Sequence, residues 1–185
     1  MDIIKTINPV YSQVDSANSL YDICKETILA QVANPSTVED FENGISLLNE
    51  CLTKVDEPAF VEKKQFLESE LIIFKDIVSI IEKAETQYNK GEFKKAFESI
   101  SNGVNKYPDR PQLKEAQEIF IQTYIATVAM DVKTACESED YKKALSILDT
   151  AIGEYNCEEF TLLKESVREQ KSWLYRTYKN TKEKI

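Results

Sequence analysis

One stretch is spelled three times in this chain, and it decides what the chain can fold into. Asp40-Phe41-Glu42-Asn43-Gly44-Ile45-Ser46-Leu47-Leu48-Asn49-Glu50-Cys51-Leu52 aligns with the stretches running from Glu92 to Val104 and from Asp140 to Ile152. Each copy carries an aromatic (Phe41, Phe93, Tyr141), then a small residue (Gly44, Ala96, Ala144). An apolar pair follows (Ile45 and Leu48, Phe97 and Ile100, Leu145 and Leu148), then a second small residue (Cys51, Gly103, Ala151) and an aliphatic (Leu52, Val104, Ile152). This spacing is that of a short amphipathic helix whose small residues let a neighbour approach closely. The copies are offset by 52 residues (44 to 96) and 48 residues (96 to 144), so the chain reads as an internal repeat of helical hairpins.

The rest of the sequence fills the spaces between copies with longer helices. Ile3, Ile7, Val10, Val14, Ala17, Tyr21, Cys24 and Ile28 step by four and three residues, one face of a helix that starts around Asn8-Pro9 and ends at Asn34-Pro35. Ser36-Thr37-Val38-Glu39 reads as a capping box with Ser36 as the cap and Glu39 reaching back. From Pro58 to Lys90 no residue breaks the helical period, and apolar residues lie on two flanks, Leu67, Leu71, Phe74, Val78 and Ile81 on one and Ile73, Ile77, Ile80 and Ala84 on the other. A rod of roughly 50 Å buried on two sides is expected there, the spine of the fold. Gly91 supplies a left-handed cap, Asp109 is the expected cap of a helix from about Arg110 to Ser138, and the last helix carries Phe160, Leu163, Val167, Leu174 and Tyr178.

The expectation is an all-α, single-domain stack of about seven helices, alternating long and short and packed antiparallel through tight links. Residues 1–35 form the N-terminal helix, and 36–90, 91–138 and 139–185 form successive short–long pairs.

Composition removes several function classes. With 32 acidic against 23 basic residues the formal net charge is -9, so phosphate backbones and anionic lipid would be repelled and nucleic acid is not an expected partner. No stretch has the length and apolarity of a membrane span. Cys24, Cys51, Cys136 and Cys157 fit no compact zinc spacing, and the chain has no histidine; they read as buried free thiols in a reducing, cytoplasmic setting. The alternative setting is a soluble domain of a larger anchored or secreted protein. There is no glycine-rich phosphate loop and no nucleophile motif. Neighbouring acids such as Glu68 and Glu70 point to different sides of a helix and read as solvating charge. No cofactor is expected, and no enzymatic activity.

At Gly91-Glu92-Phe93 with Ala96, Gly103 and Pro108, and again at Asp140-Tyr141 with Ala144 and Ala151, the chain resembles the tetratricopeptide-repeat family, and Ala84 matches the small residue of the preceding helix. That family repeats every 34 residues or so, whereas the period here is about 50, with the excess in the long helices. The resemblance implies a superhelical scaffold whose long-helix faces bind peptides or partner proteins. Glu85 and Tyr88, with Asn89, hold the inner positions of one repeat, and Lys133, with Cys136 and Glu137, those of the next. This mixed set lacks the cationic cluster of a carboxylate clamp, and a solvated face is its ordinary reading.

Charge distribution adds one surface. Residues 36–57 carry six acids and one base, whereas Lys171, Arg176, Lys179, Lys182 and Lys184 face one acid, Glu183, between residues 171 and 184. Cations at a helix C-terminus stabilise the helix through its dipole. Trp173 and Tyr175, however, fall to either side of the last helix's apolar stripe, about 80° and about 120° from Leu163 at 100° per residue. Trp173, Tyr175, Arg176 and Lys179 therefore form a candidate docking face for another protein or peptide, or for a second copy in a homodimer through the C-terminal helix. The competing class is a structural or ligand-sensing module of a longer protein, which would show a closed pocket with convergent polar groups.

Overall fold

The computed structural model describes residues 19–182, with side chains up to Leu174. The expected cap at Asn8-Pro9 and the first part of the N-terminal stripe lie outside the described residues. Among those described there are seven helices and no strand: α1 (residues 19–31), α2 (Val38–Leu52), α3 (Pro58–Asn89), α4 (Phe93–Lys106), α5 (Pro111–Glu137), α6 (Tyr141–Glu154) and α7 (Glu158–Lys182). From α2 onward short and long helices alternate, 15, 32, 14, 27, 14 and 25 residues. The chain divides into two compact units, residues 1–76 and 77–185, and α3 contributes its first part to one and its last part to the other.

In the first unit, Val32 after α1, Phe41 and Leu48 of α2, and Phe60 and Leu67 of α3 form the core. Gly44 lets α2 approach closely, since a β-carbon there would lie 3.3 Å from Leu67 and 3.4 Å from Val32. The Phe41 and Phe74 rings meet at 5.4 Å. Helix α1 joins this core through its C-terminal end, where Ile28 and Leu29 are partly buried, while Leu20, Tyr21, Ile23 and Cys24 are exposed. Periodicity foretold an apolar face on α1 but not what covers it, so Cys24 is an exposed thiol rather than a buried one; the other three cysteines are half-buried.

The cap of α2 differs from the expected one by one residue. Thr37, in extended conformation, is the N-cap and its hydroxyl accepts from the Asp40 amide at 3.1 Å. The Asp40 carboxylate accepts from the amides of Ser36 and Thr37 and from the Ser36 hydroxyl, at 3.0, 2.9 and 2.9 Å. The short aspartate reaches three donors at once, so the box closes on Asp40 and not on Glu39.

The second unit holds the end of α3 and α4 to α7. Contacts run between α4 and α5, α5 and α6, α6 and α7, and also between α5 and α7. Ala96 and Ala144 are fully buried, as are Ile100 and Leu148 four residues on. These are the positions where a small residue admits a neighbouring helix and the next apolar residue fills the space beside it. Leu113, Phe120, Tyr124, Val128 and Val132 of α5 and Phe160 and Val167 of α7 complete the core.

The two turns that open α4 and α6 are built alike. After α3, Gly91 (φ 76°) donates to Tyr88 O and Glu92 to Gln87 O, both at 2.9 Å; after α5, Glu139 (φ 56°) donates to Cys136 O and Asp140 to Ala135 O, both at 2.9 Å. Both are Schellman caps. Glycine adopts this left-handed conformation freely, whereas Glu139 does so at a cost. Asp140 then caps α6 by accepting from the Lys143 amide at 3.0 Å. Helix α5 is capped at Arg110 with Pro111 in the first turn, not at Asp109. The proline fixes the backbone for helix entry, and no side-chain hydrogen bond is used at that cap.

Candidate functional site

Rings dominate the centre of the second unit. Tyr88 stacks on Phe120 at 5.4 Å and meets Phe93 edge-on at 5.0 Å, Phe93 and Phe97 lie 4.7 and 5.3 Å from Tyr124, and Phe97 meets Tyr155 at 4.9 Å. Tyr124 meets Phe160 edge-on at 5.8 Å. These aromatic pairs tie all five helical segments of the unit together, each worth about 0.5–1.5 kcal/mol beyond its buried area. Tyr88, expected on a binding face, has its ring in this cluster, and burial raises its hydroxyl above the ordinary tyrosine range.

Tyr124 is the polar point of the cluster. Its hydroxyl donates to the Glu154 carboxylate. Burial first, then the hydrogen bond and charge of Glu154, raise the Tyr124 hydroxyl well above its ordinary range, because ionising it would place two negative charges together in a poorly hydrated place. The furrow beside it, about 320 Å³ between α5 and α6, carries Thr127, Asp131, Ser146 and Thr150. The hydroxyls of Thr127 and Thr150 donate to carbonyls of their own helices at 2.9 and 3.1 Å, which uses their protons and leaves them as acceptors only toward a ligand.

The other expected site residues lie apart, on three long helices. Glu85 is exposed near the end of α3, and Lys133 is exposed on α5, 3.8 Å from Glu137 one turn on. Trp173 of α7 is 66% exposed, well outside the buried stripe of Phe160 and Val167. The side chains of Tyr175, Arg176 and Lys179 lie outside the described residues.

The acidic segment 36–57 is largely engaged within its own unit. Asp40 serves the α2 cap, and its hydrogen bonds with Ser36 and then Thr37 hold its carboxyl below the usual range. Glu42 pairs with Lys75 at 2.8 Å, Glu50 with Lys54 at 2.7 Å, and Glu57 accepts from the Tyr21 hydroxyl at 2.5 Å and from the Ala59 amide at 3.1 Å.

Two surface features were not among the expected sites, Trp173 apart. Ile119 and Met130 of α5 are 63% and 62% exposed and eleven positions apart; at about 100° per residue they return to one side of the helix within about 20°. Leu162 and Trp173 of α7 repeat that spacing, 57% and 66% exposed. The spacing was visible in the sequence, but apolar residues at helical period look alike whether covered or bare. The second is an open groove of about 730 Å³ between α6 and α7, with Tyr141, Leu145 and Leu174 against Arg168 and Lys171, and with Glu139 and Ser172 at its edge.

Among the described residues no three His, Cys, Asp or Glu side chains converge as metal ligands, and no helix is long and apolar enough to cross a membrane. No protein-family model, curated protein or solved structure matches this chain.

Proposed function

We propose that the chain is a non-catalytic, tetratricopeptide-like scaffold of helical hairpins that binds another protein or peptide. The observation that carries this reading is the exposed apolar side of α5, Ile119 with Met130, together with the exposed Leu162 of the touching helix α7. Large apolar side chains aligned along a helix and left in water favour association, each contributing on the order of 1.5–3 kcal/mol when fully covered. The like turns at Gly91 and Glu139, and the buried small residues Ala96 and Ala144 that follow them, support the hairpin repeat. Four free thiols fit a cytoplasmic setting.

The test is capture of partners from the native cell by the intact chain and by a variant carrying Ile119→Glu and Met130→Glu. Both positions are exposed, so the variant should keep its helical content and unfolding midpoint while losing the partners held by the intact chain. An unchanged set of partners overturns this face as the binding surface.

A further inference from the structure

The groove between α6 and α7 has a counterpart between α4 and α5, and that counterpart is filled. The comparison rests on the hairpin-repeat reading proposed above. Moving 48 residues along the chain takes Phe93 of α4 to Tyr141 of α6 and Phe97 to Leu145. For the long helices the buried residues set the register: Leu113 to Phe160 and Phe120 to Val167 are both shifts of 47 residues, which carry Tyr124 to Lys171 and Ile121 to Arg168.

In the first groove the end of α6 and the start of α7 occupy the site. Tyr155 lies on Phe97 at 4.9 Å, Phe160 on Tyr124 at 5.8 Å, and the Glu154 carboxylate accepts from the Tyr124 hydroxyl. The filling element is therefore a helix end that presents a carboxylate followed directly by an aromatic ring.

The second groove keeps an apolar floor at Tyr141 and Leu145 and adds Leu174 where α5 has Thr127; Ser172 and one acid, Glu139, where the first has Gly91, complete its lining, and it is open among the described residues. Its polar point has changed. Lys171 replaces the neutral hydroxyl of Tyr124 and Arg168 replaces Ile121; both are exposed, and neither has an ion pair with another described residue. Arg168 and Lys171 outnumber the single carboxylate of Glu139 in the lining, and two cations beside an apolar floor select a carboxylate through charge-assisted hydrogen bonds, stronger than those a tyrosine hydroxyl offers. We infer that the α6–α7 groove docks a helix end of a partner protein, its carboxylate on Lys171 and Arg168 and its following aromatic ring on Tyr141 and Leu145.

The probe is a fluorescein-labelled peptide with the sequence of residues 150–164 of this chain, carrying Cys157→Ser to prevent oxidation, titrated with the intact chain and followed by anisotropy. Saturable binding that weakens with salt is expected. It should fall at least tenfold with Lys171→Glu plus Arg168→Glu in the chain, and be lost with Glu154→Lys plus Tyr155→Ala in the peptide, a change that leaves the protein untouched. No saturable binding up to about 1 mM, or equal binding by the charge-reversed chain, overturns the proposal. A chain that doubles in mass through this groove, with the peptide competing, makes the occupant a second copy and overturns the partner version. The Ile119→Glu plus Met130→Glu variant should bind the peptide normally, so failure of the long-helix face and failure of this groove are read separately.

Discussion

Gly103 of α4 and Ile80 of α3 stand so close that a β-carbon on the glycine would lie 2.7 Å from the Ile80 Cγ2 and 3.1 Å from the Leu113 Cδ2. Real side chains do not tolerate the first distance, and a β-branched methyl has little freedom to withdraw. Alanine is otherwise the better helix residue by about 1 kcal/mol. Overpacking at such a contact costs about 1–3 kcal/mol. Gly103→Ala should therefore lower stability by about 1 kcal/mol net. Gly153, in the last turn of α6 with nothing within 4 Å, is the control: Gly153→Ala should raise stability by about 0.5 kcal/mol. Urea midpoints at unchanged slope measure both, and a gain at each position would mean that α3 and α4 are not in this close contact.

The turns at Gly91 and Glu139 make opposite predictions. With φ at 76° and no neighbour within 4 Å, Gly91→Ala loses through backbone strain alone, about 1 kcal/mol. Glu139 already bears that strain at φ 56°, so Glu139→Gly should gain about 0.5–1 kcal/mol after the greater unfolded-state entropy of glycine is set against it. Thermal melts of the two variants should move in opposite directions, and a loss in both would show that the Glu139 side chain contributes more than its backbone conformation costs.

Ala144 is fully buried and Lys142, two residues earlier on the same helix, is exposed. Ala144→Leu should cost about 1–3 kcal/mol by forcing apart the helices that meet there, whereas Lys142→Leu should stay within about 0.5 kcal/mol of the parent. Equal denaturant midpoints for the two would remove the small-residue alignment as an account of helix packing.

Much of this was legible because helical period and small residues are local signals. The buried set Leu48, Ile100 and Leu148 sits where the aligned stretches place it, four residues after Gly44, Ala96 and Ala144. Ser36 and Thr37 can both cap, and Glu39 and Asp40 can both close a box; only side-chain reach selected Thr37 with Asp40. Glutamate gives no sign of a left-handed conformation, and Glu139 could have been found only through its alignment with Gly91. Cys24 shares a stripe with Tyr21 and Ile28, and periodicity does not say how far along a helix its partner extends. The α6–α7 groove depends on the register between two helices, which no stretch of sequence contains by itself.

The Tyr124–Glu154 pair is expected to steepen the loss of stability at alkaline pH. An unfolded tyrosine ionises near its ordinary value of 10.0, and the folded hydroxyl is raised above that. The neutral form is the one the fold holds, so its contribution is fully present below pH 10 and declines above it, as the unfolded chain releases a proton that the folded chain retains until its own, higher pKa. Tyr88 and Tyr155 are raised as well, chiefly by burial, and add to the same decline, while the raised thiols of Cys136 and Cys157 start it nearer their ordinary value of 9.0. Tyr124→Phe keeps the ring contacts with Phe93, Phe97 and Phe160 but leaves Glu154 without its donor. The variant should be less stable at pH 7 by about 1–2 kcal/mol, and its stability should fall less steeply between pH 10 and 11 than that of the parent. Denaturation midpoints followed from pH 7 to 11 separate the two effects: parallel curves would mean that Tyr124 does not govern the alkaline limb, whatever the substitution costs at neutral pH.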